Sequence, residues 1–412
     1  MKTIKMSLVA ALAAAAATTG ANAGALDQII TNPKLDIEIR PRYEHADVDN
    51  PDTDAADALT VRTAIGVNMG LFGVEGLNAQ LQGISVNNFG WVDDYNPANP
   101  KYDTIMDPDQ ARLTQANISY TTDGLTVLAG RKMVVLDNAR FIGNVGWRQM
   151  PQTYDLAAAI YGYENLSLLG AYVWQVNRIF SGDKATLDTG SVLLHAAYKV
   201  APELTVTAYD YMIQNWADHI GLRATGKVDL EGIGIKYEAE AALQNDPSLT
   251  ESGDPLYTKD DDQEAIYYKV GVDGSMSGFT AGVAYEVLGE ADGGRGAFWT
   301  PLATLHAMNG WADVFLATPK EGLTDLSFKL AYNAGEYGKL MAVYHIFESD
   351  VDKANGDDDL GDEIDVAYKV GLAKNLGLLL KGAFYSAGDD SFGYADTTKY
   401  WVQLDYKFHA EY

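Results

Sequence analysis

About eighteen times along this chain, roughly ten residues alternate apolar and polar and then break at a turn, the per-segment signature of a transmembrane β-barrel. Leu59, Val61, Ile65 and Val67 alternate with Thr60, Arg62, Ala64 and Asn68. Near the C-terminus, Tyr400, Val402, Leu404, Tyr406 and Phe408 alternate with Trp401, Gln403, Asp405 and Lys407. A strand of this kind offers one face to lipid and the other to water, and a closed wall of such strands encloses a hole. The expected fold is therefore all-β: a transmembrane antiparallel up-and-down barrel of about 18 strands, with 16 to 20 compatible with the pattern.

The bulk composition alone hides this. The chain is 47% hydrophobic with a mean hydropathy of −0.14, and beyond the N-terminal region no stretch reaches the ~18 apolar residues of a membrane helix. A barrel resolves the conflict because half of every strand is polar. The absence of cysteine excludes disulfides, thiolate metal sites and a cysteine nucleophile. At the N-terminus, Lys2 and Lys5 precede the apolar run Met6 to Ala17, and Ala21-Asn22-Ala23 provides an A-x-A cleavage site, which together read as a secretory signal over residues 1–23. Residues 24–412 are then a single barrel domain. The leader carries two lysines and no acid, so the formal charge of −27 becomes −27 − 2 = −29 in the mature chain.

The alternation predicts strands near 35–45, 58–69, 76–87, 111–121, 124–135, 153–162, 165–177, 189–200 and 203–213. Nine more follow near 218–226, 230–241, 263–273, 278–288, 324–333, 339–348, 362–372, 376–386 and 399–409. Connections after odd-numbered strands are mostly long, as at 88–110, 136–152 and 289–323; those after even-numbered strands are short, as at Thr122-Asp123-Gly124, Gly226–Asp229 and Ala373–Asn375. Long external loops opposite short periplasmic turns are the rule for such barrels. Tyrosines at strand ends (Tyr120, Tyr161, Tyr198, Tyr332, Tyr368, Tyr406) and aromatics late in outward-running strands (Tyr43, Trp174, Tyr211, Tyr285, Tyr385) read as two interfacial belts. The terminal pattern Leu404, Tyr406, Phe408, Ala410, Tyr412 looks like the signal read by the outer-membrane barrel-assembly machinery.

Charge is distributed unevenly. Asp47 to Asp57, Asp260 to Glu264 and Asp350 to Asp362 place acids in predicted outer loops, which reads either as a negative vestibule or as plain solvation. The third run fails the EF-hand template, since Gly356 stands seventh from Asp350 rather than sixth. Loose bridging of divalent ions to lipopolysaccharide is all it suggests. Taking apolar partners as outward, the lumen receives Arg40, Arg42, Arg62, His195, Arg223, Lys329, Lys381 and Lys407 together with Glu38, Glu44, Glu240, Glu286, Asp365 and Asp405. Opposed rows of charge would either set ion selectivity, with a basic constriction beneath an acidic mouth, or pair with one another and stiffen the wall.

Two segments do not read as simple barrel: Gly130-Arg131-Lys132 through Arg140-Phe141, Trp147-Arg148 and Asp155, and Phe298-Trp299 through His306, Asn309-Gly310-Trp311 and Asp313 to Pro319. Apolar, aromatic connections this long either fold into the lumen or pack over its mouth, because only there can irregular backbone avoid lipid; one or both of the segments near 136–152 and 289–323 are expected to narrow the pore, the alternative being an external loop cluster with its own small core. On these strings, GRK…LDNARFIGNVGWRQ…QTYD at 130–155 and FWTPLATLHAMNGWAD…TP at 298–319, the chain resembles the alginate-export family of bacterial outer-membrane channels. The resemblance implies a monomeric 18-stranded barrel that passes a solute by diffusion, with positive side chains attracting an anionic sugar polymer, and it nominates Arg131, Arg140, Arg148 and Asp155. The acidic loops would oppose a polyanion, so alginate itself is not assigned.

The function these features support is an outer-membrane porin for small hydrophilic or charged solutes, in contact with lipid and lipopolysaccharide. The alternative is a closed barrel acting as a receptor or adhesin through its loops. A barrel hydrolase is the weakest reading: none of His45, His195, His219, His306, His345 and His409 lies in a recognisable catalytic string, and G-x-S-x-G, HExxH and P-loop motifs are missing. The short stretch 24–34 leaves no room for the plug of a large energised receptor. No cofactor or metal site is expected, and the negative charge argues against nucleic acid.

Overall fold

The computed structural model describes residues 29–251, 264–290 and 297–411; the leader at 1–23 and Asp260–Asp262 lie outside the described residues. Eighteen long strands form one closed antiparallel sheet. They are β1 (Ile30–Val48), β2 (Ala56–Leu71), β3 (Leu77–Asn87), β4 (Gln110–Thr122), β5 (Leu125–Lys132), β6 (Thr153–Tyr163), β7 (Leu166–Asn177), β8 (Thr186–Ala201) and β9 (Leu204–Ile213). The circuit continues with β10 (Ala217–Leu230), β11 (Ile233–Asn245), β12 (Ala265–Met276), β13 (Phe279–Leu288), β14 (Leu323–Asn333), β15 (Lys339–Glu348), β16 (Asp359–Ala373), β17 (Leu376–Ser386) and β18 (Thr397–Glu411). A two-residue strand, Asp93–Asp94, adds to the end of β2. Each strand pairs with its sequence neighbours, and β1 pairs with β18 from Lys34↔Glu411 to Val48↔Thr397, which removes both sheet edges.

The alternation read from the sequence is the alternation of the wall. On β14, Phe328, Leu330 and Tyr332 point out, and Leu330 is 67% exposed, while the adjacent Ala331, pointing in, is 8% exposed. Val270 and Val272 on β12, and Tyr400 and Val402 on β18, continue the apolar exterior. Several hairpins at the short-turn end are two residues long. Asp123-Gly124 lies between the paired Thr122 and Leu125 with φ of 44° and 81°, and Glu231-Gly232 and Ser277-Gly278 repeat the arrangement. Both central residues of such a turn need positive φ, and its twist matches that of the strands. The turn expected at Gly226–Asp229 is displaced to Glu231-Gly232, because β10 and β11 stay paired as far as Leu230↔Ile233; an exposed strand extension carries no periodicity break to mark its end.

The belts are partly revised. Trp174 and Tyr285 face outward, but Tyr211 and Tyr385 face the lumen and are buried there. Tyr211 lies two residues from Tyr209 on the same face, and the rings stack at 4.7 Å.

The largest apolar core sits inside the barrel. Tyr154, Val173, Leu193, Tyr209 and Tyr267 from the wall pack on Phe141 and Ile142 of the connection after β5 and on Phe298, Leu302 and Phe315 of the connection after β13. Phe141 is the centre of this contact, with ring centroids 5.0 Å from Tyr209, 5.5 Å from Tyr267 and 6.0 Å from Phe298. Both long connections therefore enter the lumen, held by the burial that a wide empty barrel could not supply. Phe141→Ala should cost about 3–5 kcal/mol, read as a lower unfolding midpoint of the detergent-solubilised barrel; an unchanged midpoint would show that the connections contribute nothing to its stability.

Candidate functional site

Three connections meet in the lumen. The segments 133–152 and 289–322 are joined by backbone bonds, Gly143 N–H to Leu302 O at 2.8 Å and Thr304 N–H to Ala139 O at 3.0 Å. Gly143 must be glycine at this crossing, since a Cβ would collide with Thr304. The third segment, 88–109, packs Tyr95 and Ile105 against Ala46, Ala56 and Ala58 of β1 and β2. It then delivers Asp107, whose Oδ1 accepts the Gln149 N–H at 2.7 Å.

Arg148 is the hub of this junction. Its Nη1 lies 2.9 Å from Glu44 and 3.8 Å from Asp107, and its Nη2 lies 2.9 Å from Asp313. One guanidinium thus ties the wall to all three inserted segments. Arg42, completely buried, donates to Gln403 at 2.9 Å, lies 3.6 Å from Asp107 and covers the Trp147 ring at 4.2 Å. Beside it, His306 stacks on Trp147 at 4.4 Å. His306 Nδ1 meets Asp313 at 2.6 Å and Nε2 meets Lys381 Nζ at 2.6 Å. Burial pushes the His306 imidazole down to about 3, so the neutral ring donates from Nδ1 and accepts from the lysine at Nε2.

The other nominated residues fall into separate groups. Arg40 pairs with Asp405 at 2.8 Å and Glu38 at 3.1 Å, and Arg62 reaches Glu38 at 3.5 Å. Arg140 meets Glu286 at 3.2 Å. Arg223 and His195 converge on Asp137, at 3.8 and 3.1 Å, and Arg223 also pairs with Glu238 at 2.7 Å. Lys329 binds Asp273 at 2.6 Å. Arg131 and Asp155 form a mutual pair at 2.6 Å, but on the other side of the wall. Their register, Ala116↔Arg131↔Asp155, places them on the outward face shared with Ile118 and Tyr161, whereas the adjacent Lys132 reaches Gln80. Strand alternation runs through the whole of the β5 end, so a residue chosen from a motif string without its parity can point either way.

Around the hub, Arg42, Arg148, Lys381 and Lys399 are matched by Glu44, Asp107, Asp313, Glu363 and Asp365. With four cations among five carboxyl groups, the junction carries both signs in near-equal number, not the basic constriction expected from the sequence. Asp107, Asp313 and Lys399 were not among the nominated residues. Lys399 was within reach of the pattern, since it shares parity with Trp401 and Gln403; Asp107 sits in a connection with no periodicity.

Two cavities flank the junction. The outer, about 710 Å³, is bordered by Asn50, Thr53, Arg178, His306, Asp313 and Lys399. The inner, about 500 Å³, is bordered by Lys236, Lys269, Asp325, Lys329, Met308 and Trp311. Both are mixed in polarity, as a path for hydrated solutes requires.

No family model matches the chain, and no curated protein matches it in sequence. Solved structures do. OccAB2 of Acinetobacter baumannii superimposes with a TM-score of 0.73 at 15% identity, over 93% of this chain and 99% of that one. OccK9 (OpdG) of Pseudomonas aeruginosa gives 0.72 at 17% over 92% and 98%. OpdK of Pseudomonas aeruginosa, solved with vanillate, gives 0.70 at 12% over 92% and 99%. The resemblance to the alginate-export family is thereby overturned: the neighbours in fold are Occ and Opd outer-membrane porins. At these identities the likeness establishes the fold, a closed 18-stranded porin-type barrel.

Proposed function

We propose that this chain is a porin of the outer membrane, through which small charged or hydrophilic solutes diffuse passively. The observation that carries this reading is a barrel with an apolar exterior and an ionised lumen, in which two cavities of mixed polarity flank the inserted connections. Lipid binds the exterior, and aromatic residues sit at headgroup level on both sides, Trp174 and Tyr285 beside lipopolysaccharide and Tyr332 at the periplasmic end. The protein works as a monomer, inserted by the barrel-assembly machinery, and needs no cofactor. Selectivity arises at the Arg148 lattice, where charges of both signs are fixed by mutual pairing and a passing ion meets a transverse field. Transport rather than catalysis is the role supported by a fold whose structural neighbours are porins.

Single-channel recording of the purified protein in a planar bilayer tests it. An open channel of defined conductance is expected; a silent bilayer with folded, inserted protein would favour the closed receptor or adhesin instead. Deleting 298–312 should raise conductance, because that segment supplies Phe298, Leu302 and His306 to the plug; no increase would place the resistance elsewhere. Arg148→Gln leaves Glu44, Asp107 and Asp313 without their common cation. It should destabilise the barrel by roughly 3–5 kcal/mol and move the reversal potential in a salt gradient toward cation selectivity. Arg131→Gln, on the outer wall, should leave that potential where it was, and a shift there would return Arg131 to the pore.

A further inference from the structure

Lys381 occupies an unusual place in the lattice. It projects inward from β17, and its Nζ lies 3.7 Å from the ring centroid of Trp311, 4.2 Å from Trp147 and 5.2 Å from Trp401. The three indoles come from the connection after β13, the connection after β5 and β18, so the arrangement exists only when both connections are seated. Its ammonium donates to Nε2 of the His306 imidazole at 2.6 Å. Behind Trp311, two fully buried carboxylates accept backbone N–H groups, Asp365 from Trp311 at 3.1 Å and Glu363 from Ala312 at 2.7 Å. An ammonium at the faces of several indoles, with negative charge behind them, is the arrangement that recognises alkylammonium groups in general.

Through Trp311, the box also borders the inner cavity. His306, Ala312 and Asp313 border the outer cavity, and their chain neighbours Ala307 and Trp311 border the inner one. The partition between the cavities is thus one loop thick at this point, and Lys381, Trp147 and Trp311 are only partly buried in it. A lysine is suited to be a displaceable occupant: its charge rides on a flexible four-carbon stem, unlike the rigid forks of Arg42 and Arg148.

We propose that Trp147, Trp311 and Trp401 form an ammonium-recognition site within the channel, with Lys381 as its resident occupant. Organic solutes bearing an ammonium group compete with Lys381 for the indole faces as they pass from one cavity to the other. The inference rests on the porin reading and adds to it a solute class, organic cations and zwitterions with an alkylammonium end.

Single-channel potassium currents in the presence of tetramethylammonium test both readings separately. Wild type should conduct and show voltage-dependent flicker block at millimolar tetramethylammonium. Lys381→Met, with the box vacated, should be blocked at about tenfold lower concentration. Trp311→Leu, at a partly buried position on a connection rather than in the wall, should remove the block in either background while leaving an open channel. A conducting Lys381→Met channel no more sensitive than wild type, or a Trp311→Leu channel blocked as wild type is, would overturn the ammonium site while leaving the porin intact. A wild-type protein that never conducts would overturn the porin reading and the site with it. Should Lys381→Met fail to fold, quenching or shift of indole fluorescence by tetramethylammonium in the solubilised wild type provides the second readout, and no change at concentrations that block current would count against the site.

Discussion

Lipid cannot hydrogen-bond to a peptide group, and everything else in this molecule follows from that. A sheet in a bilayer must close on itself, because each unpaired N–H or C=O at an edge would cost several kcal/mol. Here closure is the β1–β18 pairing from Lys34↔Glu411 to Val48↔Thr397. Closure in turn gives every strand one lipid face and one lumen face, which dictates the period-2 pattern and makes an acidic, moderately hydrophilic chain compatible with a membrane.

An eighteen-stranded ring is too wide for wall side chains to fill. The chain fills it with the connections after β3, β5 and β13, and fills it asymmetrically. Phe141, Phe298, Leu302 and Phe315 bury against the tyrosine-rich side, where burial drives association. On the side of β1, β2 and β18, Arg40, Arg42, Arg62 and Arg148 meet acids in a lattice of ion pairs. The apolar side fixes where the connections sit, and the ionic side fixes their register. Removing one member of a buried ion pair strands its partners, which is why such a lattice tolerates little adjustment. The position of the Trp box between the two cavities is a by-product of the same seating.

Much of the barrel was legible from residues alone. The boundaries expected for the strands at 339–348 and 376–386 coincide with β15 and β17, and the inward parity of Arg42, Glu44, Lys381 and Asp405 was correct, because side-chain direction in a strand is a local property. The misplaced turn at Gly226–Asp229 and the inward Tyr211 and Tyr385 show the limit: glycine and tyrosine each serve several roles, and only pairing decides between them. The long aromatic strings at 130–155 and 298–319 suggested the wrong family for a related reason. Glycine-punctuated aromatic connections are what any wide barrel needs to block its own lumen, so they report the architecture more than the lineage.

The sequence by itself determined that the chain is a barrel of about eighteen strands, which parity of most strands is apolar, and that the connections near 136–152 and 289–323 are not simple barrel wall. The tertiary structure alone decided which charges meet. Glu44, Asp107, Arg148 and Asp313 are separated by tens to hundreds of residues and converge through the paths of three irregular segments. It also decided that the three indoles close around Lys381 and that Arg131 and Asp155 lie outside. The reason is one of range: alternation repeats every two residues and can be read along the chain, whereas a contact between loops depends on where each leaves the wall, which no local period records.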